Sequence, residues 1–230
     1  MKHTHILMDL DGTVFDFDYA EKAAFFALCR EYSIEADERM YLFYKKANAR
    51  RWKQYEDGLL QKEDILRLRF ADFFDEFNIK NIDIHIFSNR YIDLLVDNTK
   101  VFDGVKEVLA NIGSEYVLDA VTNATVDAQK RKLKITGTEN VFHKLFISEE
   151  IGFPKPSKEF FAAIFDCCND VAKENFLVVG DSLTADIKGA CQSGIDSVWI
   201  SFKRPLIGDF KPTYIIERVN DLYLFLKEDI

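Results

Sequence analysis

The chain has 230 residues, of which 48% are hydrophobic and 30% charged, as expected for a globular protein of one or two domains. The formal net charge of −9 argues against a protein that coats nucleic acid polymers, because such proteins carry a broad positive surface. The sequence shows no secretion signal, no apolar run of the ~20 residues that span a bilayer and no metal-binding or disulfide spacing among its four cysteines, so we expect a cytoplasmic protein without membrane contact.

Short apolar runs rich in Val, Ile and Phe recur along the chain and predict strands buried on both faces. In chain order they are 6–8, 116–118 with 120–121, 145–147, 176–179, 198–200 and 214–216. Segments with helical spacing, such as 105–112 and 160–165, lie between the later runs. Alternating strands and helices predict an α/β fold with a parallel sheet.

The segment 18–100 interrupts this alternation. It contains no convincing strand, and helical patterns cover 23–32, about 39–55 and about 64–77. We therefore expect a small all-helical domain inserted after the first strand, within the usual size range of domains.

Polar residues follow several of the predicted strands. In chain order they are Asp9, Asp11, Thr122, Asn123, Lys155, Asp181 and Asp186. Each alone has a plain explanation as a turn, cap or loop residue. The ordered set is more specific, because ligands of open parallel sheets bind beyond the carboxyl ends of the strands, where these side chains would converge.

This set of side chains could carry out chemistry on a phosphate ester. Carboxylates that lie close together repel one another and need a cation, and ligation by oxygen alone suits Mg²⁺. A carboxylate beside Mg²⁺ can attack phosphorus and form an aspartyl-phosphate. A second carboxyl two residues further on can exchange the protons, while a lysine and a threonine hold the phosphoryl oxygens.

Four motifs carry a family resemblance: Asp9-Leu10-Asp11-Gly12-Thr13, Thr122-Asn123, Lys155-Pro156 and Gly180-Asp181 with Asp186. In this order they resemble the haloacid dehalogenase superfamily hydrolases of the phosphatase type. The resemblance implies a Rossmann-like catalytic core, formed by 1–17 and 101–230, and a helical cap domain over 18–100. Cap closure would exclude bulk water from the site.

The resemblance also implies a role for each motif residue. Asp9 would be the nucleophile and Asp11 the general acid/base. Thr122 and Lys155 would bind the transferring phosphoryl group. The implied Mg²⁺ ligands are Asp9, the backbone carbonyl of Asp11 and Asp181. Asp186 would contact the metal through water and could also orient Lys155. Asn123 would lie beside the substrate.

Sequence features that are less specific than the four motifs favour one branch of this superfamily. The segment 48–58, Arg69-Phe70 and the segments 147–152 and 198–200 resemble the pyrimidine 5′-nucleotidases that act on modified pyrimidine nucleotides. That branch usually has Gly after Thr-Asn, whereas this chain has Ala124, which could narrow the reach of the backbone to the phosphate.

We therefore predict a Mg²⁺-dependent phosphomonoesterase whose partner is a small phosphorylated metabolite, preferably a pyrimidine nucleoside 5′-monophosphate. One alternative is a phosphatase for small sugar phosphates or phosphoglycolate-type substrates. The other is a catalytically inactive regulatory protein with the same fold, which would lack the nucleophile, the acid or a metal ligand.

Two basic stretches have plain and functional interpretations. The stretch 39–53 mixes cations with aromatic residues, and it is either a nucleotide-facing surface or a solvated helix face over aromatic core residues. The run 130–134 is interpreted as a solvated helix face. Phe17, Arg51 and Trp52 are the candidate cap residues for substrate contacts.

Overall fold

The computed structural model describes residues 2–228. The chain divides into two compact units. One unit runs up to Asp16 and resumes at Lys100, and the other is the insertion Phe17–Thr99. We describe each unit by itself.

The first unit is built on a six-stranded sheet in which every strand pair is parallel. The strands are β1 (His5–Met8), β2 (Val117–Thr122), β3 (Leu145–Ile147), β4 (Phe176–Gly180), β5 (Asp196–Ile200) and β6 (Tyr214–Ile216). Their lateral order is β3-β2-β1-β4-β5-β6. The predicted α/β fold with a parallel sheet is confirmed.

The helices fall into the two units in chain order. Those of the insertion are α1 (Phe17–Glu31), α2 (Glu38–Glu56), α3 (Lys62–Glu76) and α4 (Ile84–Asp97). Those of the sheet unit are α5 (Val105–Gly113), α6 (Val126–Thr136), α7 (Ser148–Ile151), α8 (Lys158–Cys167), α9 (Lys188–Ser193) and α10 (Leu222–Leu226). Within residues 2–228, no helix has the length and apolar composition needed to cross a membrane.

The sheet separates two apolar layers. Successive side chains of a strand point to opposite faces, so Ile6 and Met8 of β1 belong to one cluster and Leu7 belongs to the other. The first cluster includes residues of α5 and α10, and the second includes residues of α8 and α9. Burial on both faces explains why the strands are continuous apolar runs rather than alternating ones.

Aromatic side chains dominate the core of the helical unit. Phe70 is fully buried, its ring is stacked on Tyr44 with centroids 5.1 Å apart, and it meets Phe87 edge-on at 5.0 Å. Helix α4 was not among the helices predicted from the sequence, and the spacing of Ile82, Ile84 and Ile86 at its start has the period of a strand rather than that of a helix. Asp83 decides the local structure, because its carboxylate accepts hydrogen bonds from the backbone N–H groups that open α4.

In the basic stretch 39–53, aromatic residues face the core of the helical unit and cations pair with nearby acids, as expected for a solvated helix face over aromatic core residues. Tyr41 and Tyr44 are buried in the aromatic core of the helical unit. Its cations pair with acids of the same unit, as in Lys45 with Asp18 and Lys53 with Asp57.

Candidate active site

A buried lysine connects two of the predicted acidic residues. The Lys155 ammonium donates hydrogen bonds to Asp9 Oδ1 at 2.8 Å, to Asp186 Oδ1 at 2.7 Å and to the carbonyl oxygen of Val121 at 2.8 Å. Its side chain is 2% exposed and that of Asp186 is fully buried. These contacts use all three N–H donors of the ammonium, so Lys155 would have to exchange one of them to touch a phosphoryl oxygen.

Burial and charge shift the proton affinities of this group. Burial raises the pKa of the Asp9 carboxyl well above its usual range, although the charge of Lys155 opposes the shift. Burial and the neighbouring Asp186 charge also raise the pKa of Asp181, to about 6. Burial by itself would lower the pKa of Lys155, but the charges of Asp186 and Asp9 raise it above its ordinary value. The site therefore holds more negative charge than its lysine neutralises.

Two adjacent strands deliver these acids to one edge of the sheet. Asp9 follows β1, and its backbone N–H donates to the carbonyl oxygen of Val179 in β4 at 2.9 Å. Asp181 follows β4, and the π-helical turn Leu183–Ile187 brings Asp186 back toward the strand end. A Cβ on Gly180 would lie 2.1 Å from Asp186 Oδ2, so only glycine fits at the end of β4.

Asp9, Asp181 and Asp186 form a cluster that could hold a metal ion. Each offers one carboxylate oxygen, and these oxygens all lie within 4.8 Å of one another. The Asp11 carboxylate lies outside this cluster, and a metal contact through its backbone carbonyl stays a prediction. Gly12 has a φ of +94°, and a Cβ there would lie 2.7 Å from Asp181 Oδ1. Glycine is thus required by both the backbone conformation and the position of Asp181.

Thr122 and Asn123 lie at the end of β2. The Asn123 side chain makes a reciprocal pair of hydrogen bonds with the backbone of Lys155, at 2.8 and 2.9 Å, and so holds the loop that carries the lysine. Thr122 Oγ1 accepts a hydrogen bond from the Ala124 N–H at 3.1 Å. Ala124 is not among the residues with positive φ, so alanine at this position carries no left-handed backbone strain.

Two residues of α6 contact Asp11, and neither was predicted from the sequence. Lys132 Nζ lies 2.7 Å from Asp11 Oδ1, and Gln129 Nε2 lies 2.7 Å from Asp11 Oδ2. The interpretation of 130–134 as a solvated helix face is wrong for Lys132, which is 2% exposed. The signal was present in the helical period, since Gln129, Lys132, Leu133 and Thr136 share one buried face.

Trp199 and Arg204 also surround the site without having been predicted to do so. The Trp199 indole N–H donates to the carbonyl oxygen of Asp181 at 2.9 Å. Arg204 Nη2 donates to the same carbonyl oxygen at 2.9 Å and to Asp181 Oδ2 at 3.2 Å. These three hydrogen bonds hold Asp181, the residue that follows β4.

The candidate cap residues belong to the helical unit. Arg51 makes a two-pronged ion pair with Asp72, at 2.7 and 2.9 Å. Phe17 is the first residue of α1 and packs against the aromatic core of this unit, and the Trp52 ring meets Tyr55 edge-on at 5.9 Å. Their roles as substrate contacts stay predictions.

Comparison with known proteins agrees with this arrangement. Residues 6–200 match the family of haloacid dehalogenase-like hydrolases. The chain is 32% identical to the pyrimidine 5′-nucleotidase PynA of Streptococcus pneumoniae (strain ATCC BAA-255 / R6), over 100% of this chain and 98% of that protein. It is 25% identical to the pyrimidine 5′-nucleotidase YjjG of Escherichia coli (strain K12), over 96% of this chain and 97% of that protein.

A solved structure shows the same fold. The crystal structure of the HAD-hydrolase YfnB from Bacillus subtilis bound to magnesium superposes with a TM-score of 0.93 and 30% identity, covering 99% of this chain and 100% of that one. The fold and the motif order define a hydrolase with a Rossmann-like core. The chain belongs to the haloacid dehalogenase-like hydrolase family, which confirms the resemblance seen in the sequence.

Replacing Lys155 by methionine tests the central contact. We expect Lys155→Met to lower the free energy of unfolding by about 3–5 kcal/mol, because it leaves two buried carboxylates without their cation. Urea denaturation in the presence of EDTA measures the change. The control is Lys158→Met at the exposed start of α8, which we expect to be within about 0.5 kcal/mol of wild type. Equal effects of the two substitutions would contradict this role for Lys155.

Proposed function

We propose that this chain is a Mg²⁺-dependent phosphomonoesterase that works through an aspartyl-phosphate on Asp9. The single observation that carries the proposal is the state of the Asp9 carboxylate. Its Oδ1 is held by Lys155, whereas its Oδ2 is buried and has no hydrogen-bond partner in the part of the chain that the structure describes. A buried carboxylate oxygen without a partner is costly unless it binds or attacks something.

The donor set suits a magnesium ion. Carboxylate oxygens of Asp9, Asp181 and Asp186 lie within 4.8 Å of one another, and Asp9 Oδ2, which has no hydrogen-bond partner among the described residues, is a hard oxygen ligand of the kind that Mg²⁺ prefers. Asp9, Asp181 and the backbone carbonyl of Asp11 would hold the ion, with Asp186 close by. When bound, Mg²⁺ would neutralise charge that develops on the phosphoryl oxygens.

Proton and phosphoryl transfer are assigned to the chain's own residues. A carboxylate oxygen of Asp9 attacks phosphorus, and the bond from phosphorus to the ester oxygen breaks. Asp11 gives its proton to the departing oxygen, then takes a proton from the water that hydrolyses the aspartyl-phosphate. Lys155 holds Asp9 in place, and the Thr122 hydroxyl donates to a phosphoryl oxygen.

The substrate class we propose is a nucleoside 5′-monophosphate with a pyrimidine base. The similarity to two proteins named pyrimidine 5′-nucleotidase, along nearly the whole chain, supports this choice. The helical unit aligns in these matches as well as the sheet unit, so the likeness extends beyond the residues of phosphoryl transfer.

Removal of the nucleophile tests the reaction. We expect Asp9→Asn to lower hydrolysis of p-nitrophenyl phosphate to background, because an amide cannot form the aspartyl-phosphate, and EDTA to abolish wild-type turnover in a way that added Mg²⁺ reverses. Release of nitrophenolate measures both. Asp127→Asn, at a carboxylate that is 78% exposed on α6, is the control and should keep the wild-type rate. Wild-type turnover by Asp9→Asn would overturn the assignment.

Because Asp181 lies so close to Gly12, a side chain at position 12 is expected to weaken metal binding. In Gly12→Ala, the new methyl group would meet the Asp181 carboxylate, so we expect Mg²⁺ affinity to fall at least about tenfold, corresponding to about 1.4 kcal/mol. Isothermal titration calorimetry with Mg²⁺ measures the affinity. The matched control is Gly58→Ala, since Gly58 also has positive φ but no atom within 4 Å of its added Cβ. An equal loss of affinity in both variants would argue against the geometric cause.

A substrate panel tests the proposed class. We expect kcat/KM for UMP and dUMP to exceed the values for small sugar phosphates and phosphoglycolate. Phosphate release at limiting substrate measures each value. If sugar phosphates or phosphoglycolate are hydrolysed as well as UMP, the phosphatase chemistry stands and the nucleotidase assignment falls.

A further inference from the structure

The carboxylate assigned to proton transfer is held by side chains at both oxygens. Lys132 Nζ contacts Asp11 Oδ1 and Gln129 Nε2 contacts Asp11 Oδ2, each at 2.7 Å. Gln129 and Lys132 lie three residues apart on α6 and therefore share one face of the helix. Both are buried, at 0% and 2% exposure, while the Asp11 side chain is 21% exposed. Buried side chains of α6 therefore hold both carboxyl oxygens of Asp11, while part of the Asp11 side chain stays exposed to solvent.

Gln129 also connects Asp11 to Thr122. Its Nε2 lies 3.0 Å from Thr122 Oγ1. The amide nitrogen of Gln129 therefore has two acceptors, Asp11 Oδ2 and Thr122 Oγ1, one for each of its N–H groups. Thr122 Oγ1 then accepts bonds from Gln129 and from the Ala124 N–H, which fills its acceptor capacity. The Thr122 hydroxyl proton is left to donate.

The oxygen of the Gln129 amide is buried at a cost in folding free energy. This oxygen, Oε1, has no hydrogen-bond partner among the described residues. An apolar side chain of similar length would avoid this penalty, so stability alone does not explain a glutamine at this position. The contacts that Nε2 makes with Asp11 and Thr122 do explain it.

We propose that Gln129 and Lys132 are positioning residues for Asp11, and that Gln129 sets the direction of the Thr122 hydroxyl at the same time. This inference rests on the proposed function of Asp11. A free aspartate side chain rotates about two bonds, and proton transfer needs its oxygen within hydrogen-bond reach of the ester oxygen. Two opposed donors on one rigid helix remove that freedom, and small displacements of a reacting group are costly in rate.

The test uses two esters that differ in their need for an acid. An alkyl phosphate, such as UMP, must receive a proton at its departing oxygen, whereas nitrophenolate leaves p-nitrophenyl phosphate without one. We expect Lys132→Met and Gln129→Met each to lower kcat/KM for UMP about 100-fold, but for p-nitrophenyl phosphate less than about tenfold. Lys132→Arg, which keeps the charge and the donors, should recover most of the loss. Lys134→Met on the exposed face of α6 is the matched control and should match wild type for both esters.

A double-substitution cycle asks whether Lys132 acts through Asp11. In the Asp11→Asn background, Lys132→Met should lower the rate no further, because the group that it positions is already lost. Thermal unfolding of every variant checks the fold, and if one variant is unfolded the other α6 variant decides.

The outcomes separate the two proposals. If wild type hydrolyses both esters but the α6 variants lose both equally, or if Lys132→Met slows Asp11→Asn further, the positioning role is overturned and the proposed function stands. If wild type hydrolyses neither ester, the proposed function fails and the positioning role fails with it.

Discussion

The contact between the Lys155 ammonium and two buried carboxylates is the interaction on which the rest of the site depends. Asp9 and Asp186 are brought together from different strand ends, and without a cation between them their burial would be strongly unfavourable. The lysine is in turn fixed through its own backbone by Asn123. A chain of polar contacts thus joins the ends of β1, β2 and β4.

The same interaction leaves an imbalance that the site can use. The Lys155 ammonium contacts two carboxylates and the Arg204 guanidinium contacts the third, yet burial and mutual repulsion still raise the pKa of Asp9 and Asp181. Clustered carboxylates, oxygen donors within 4.8 Å of one another and an Asp9 oxygen with no hydrogen-bond partner within residues 2–228 all favour binding of a hard cation. The features that make the site electrostatically costly are therefore the ones that suit it to a hard cation, as the proposed function requires.

Asp11 is separated from this cluster although it lies only two residues from Asp9. Its carboxylate is held by α6 instead of by the acidic cluster, so the two acids of one short motif have different surroundings. Different surroundings allow different roles, since a nucleophile needs a fixed, unpartnered oxygen and an acid/base needs access to solvent and to the leaving group. Gln129 and Lys132 contribute to this division from an element outside the four motifs.

Local patterns in the sequence were sufficient to predict the strands, the parallel sheet and the acids that follow β1 and β4, because strand burial and turn chemistry are properties of neighbouring residues. The sequence also placed a helical segment after the first strand, but it did not reveal the fourth helix, which Asp83 starts and whose first residues have isoleucines spaced as in a strand. For Lys132, composition misled, since a lysine among other basic residues is usually exposed.

The tertiary structure alone decided which distant side chains meet. The lateral order places β4 directly beside β1, so Asp181 and Asp9 become neighbours although they stand far apart in the chain. The packing of α6 likewise directs the helix face that carries Gln129 and Lys132 toward Asp11. Neither result can be read from periodicity, because hydrophobic spacing specifies which face of an element is buried but not which element covers it.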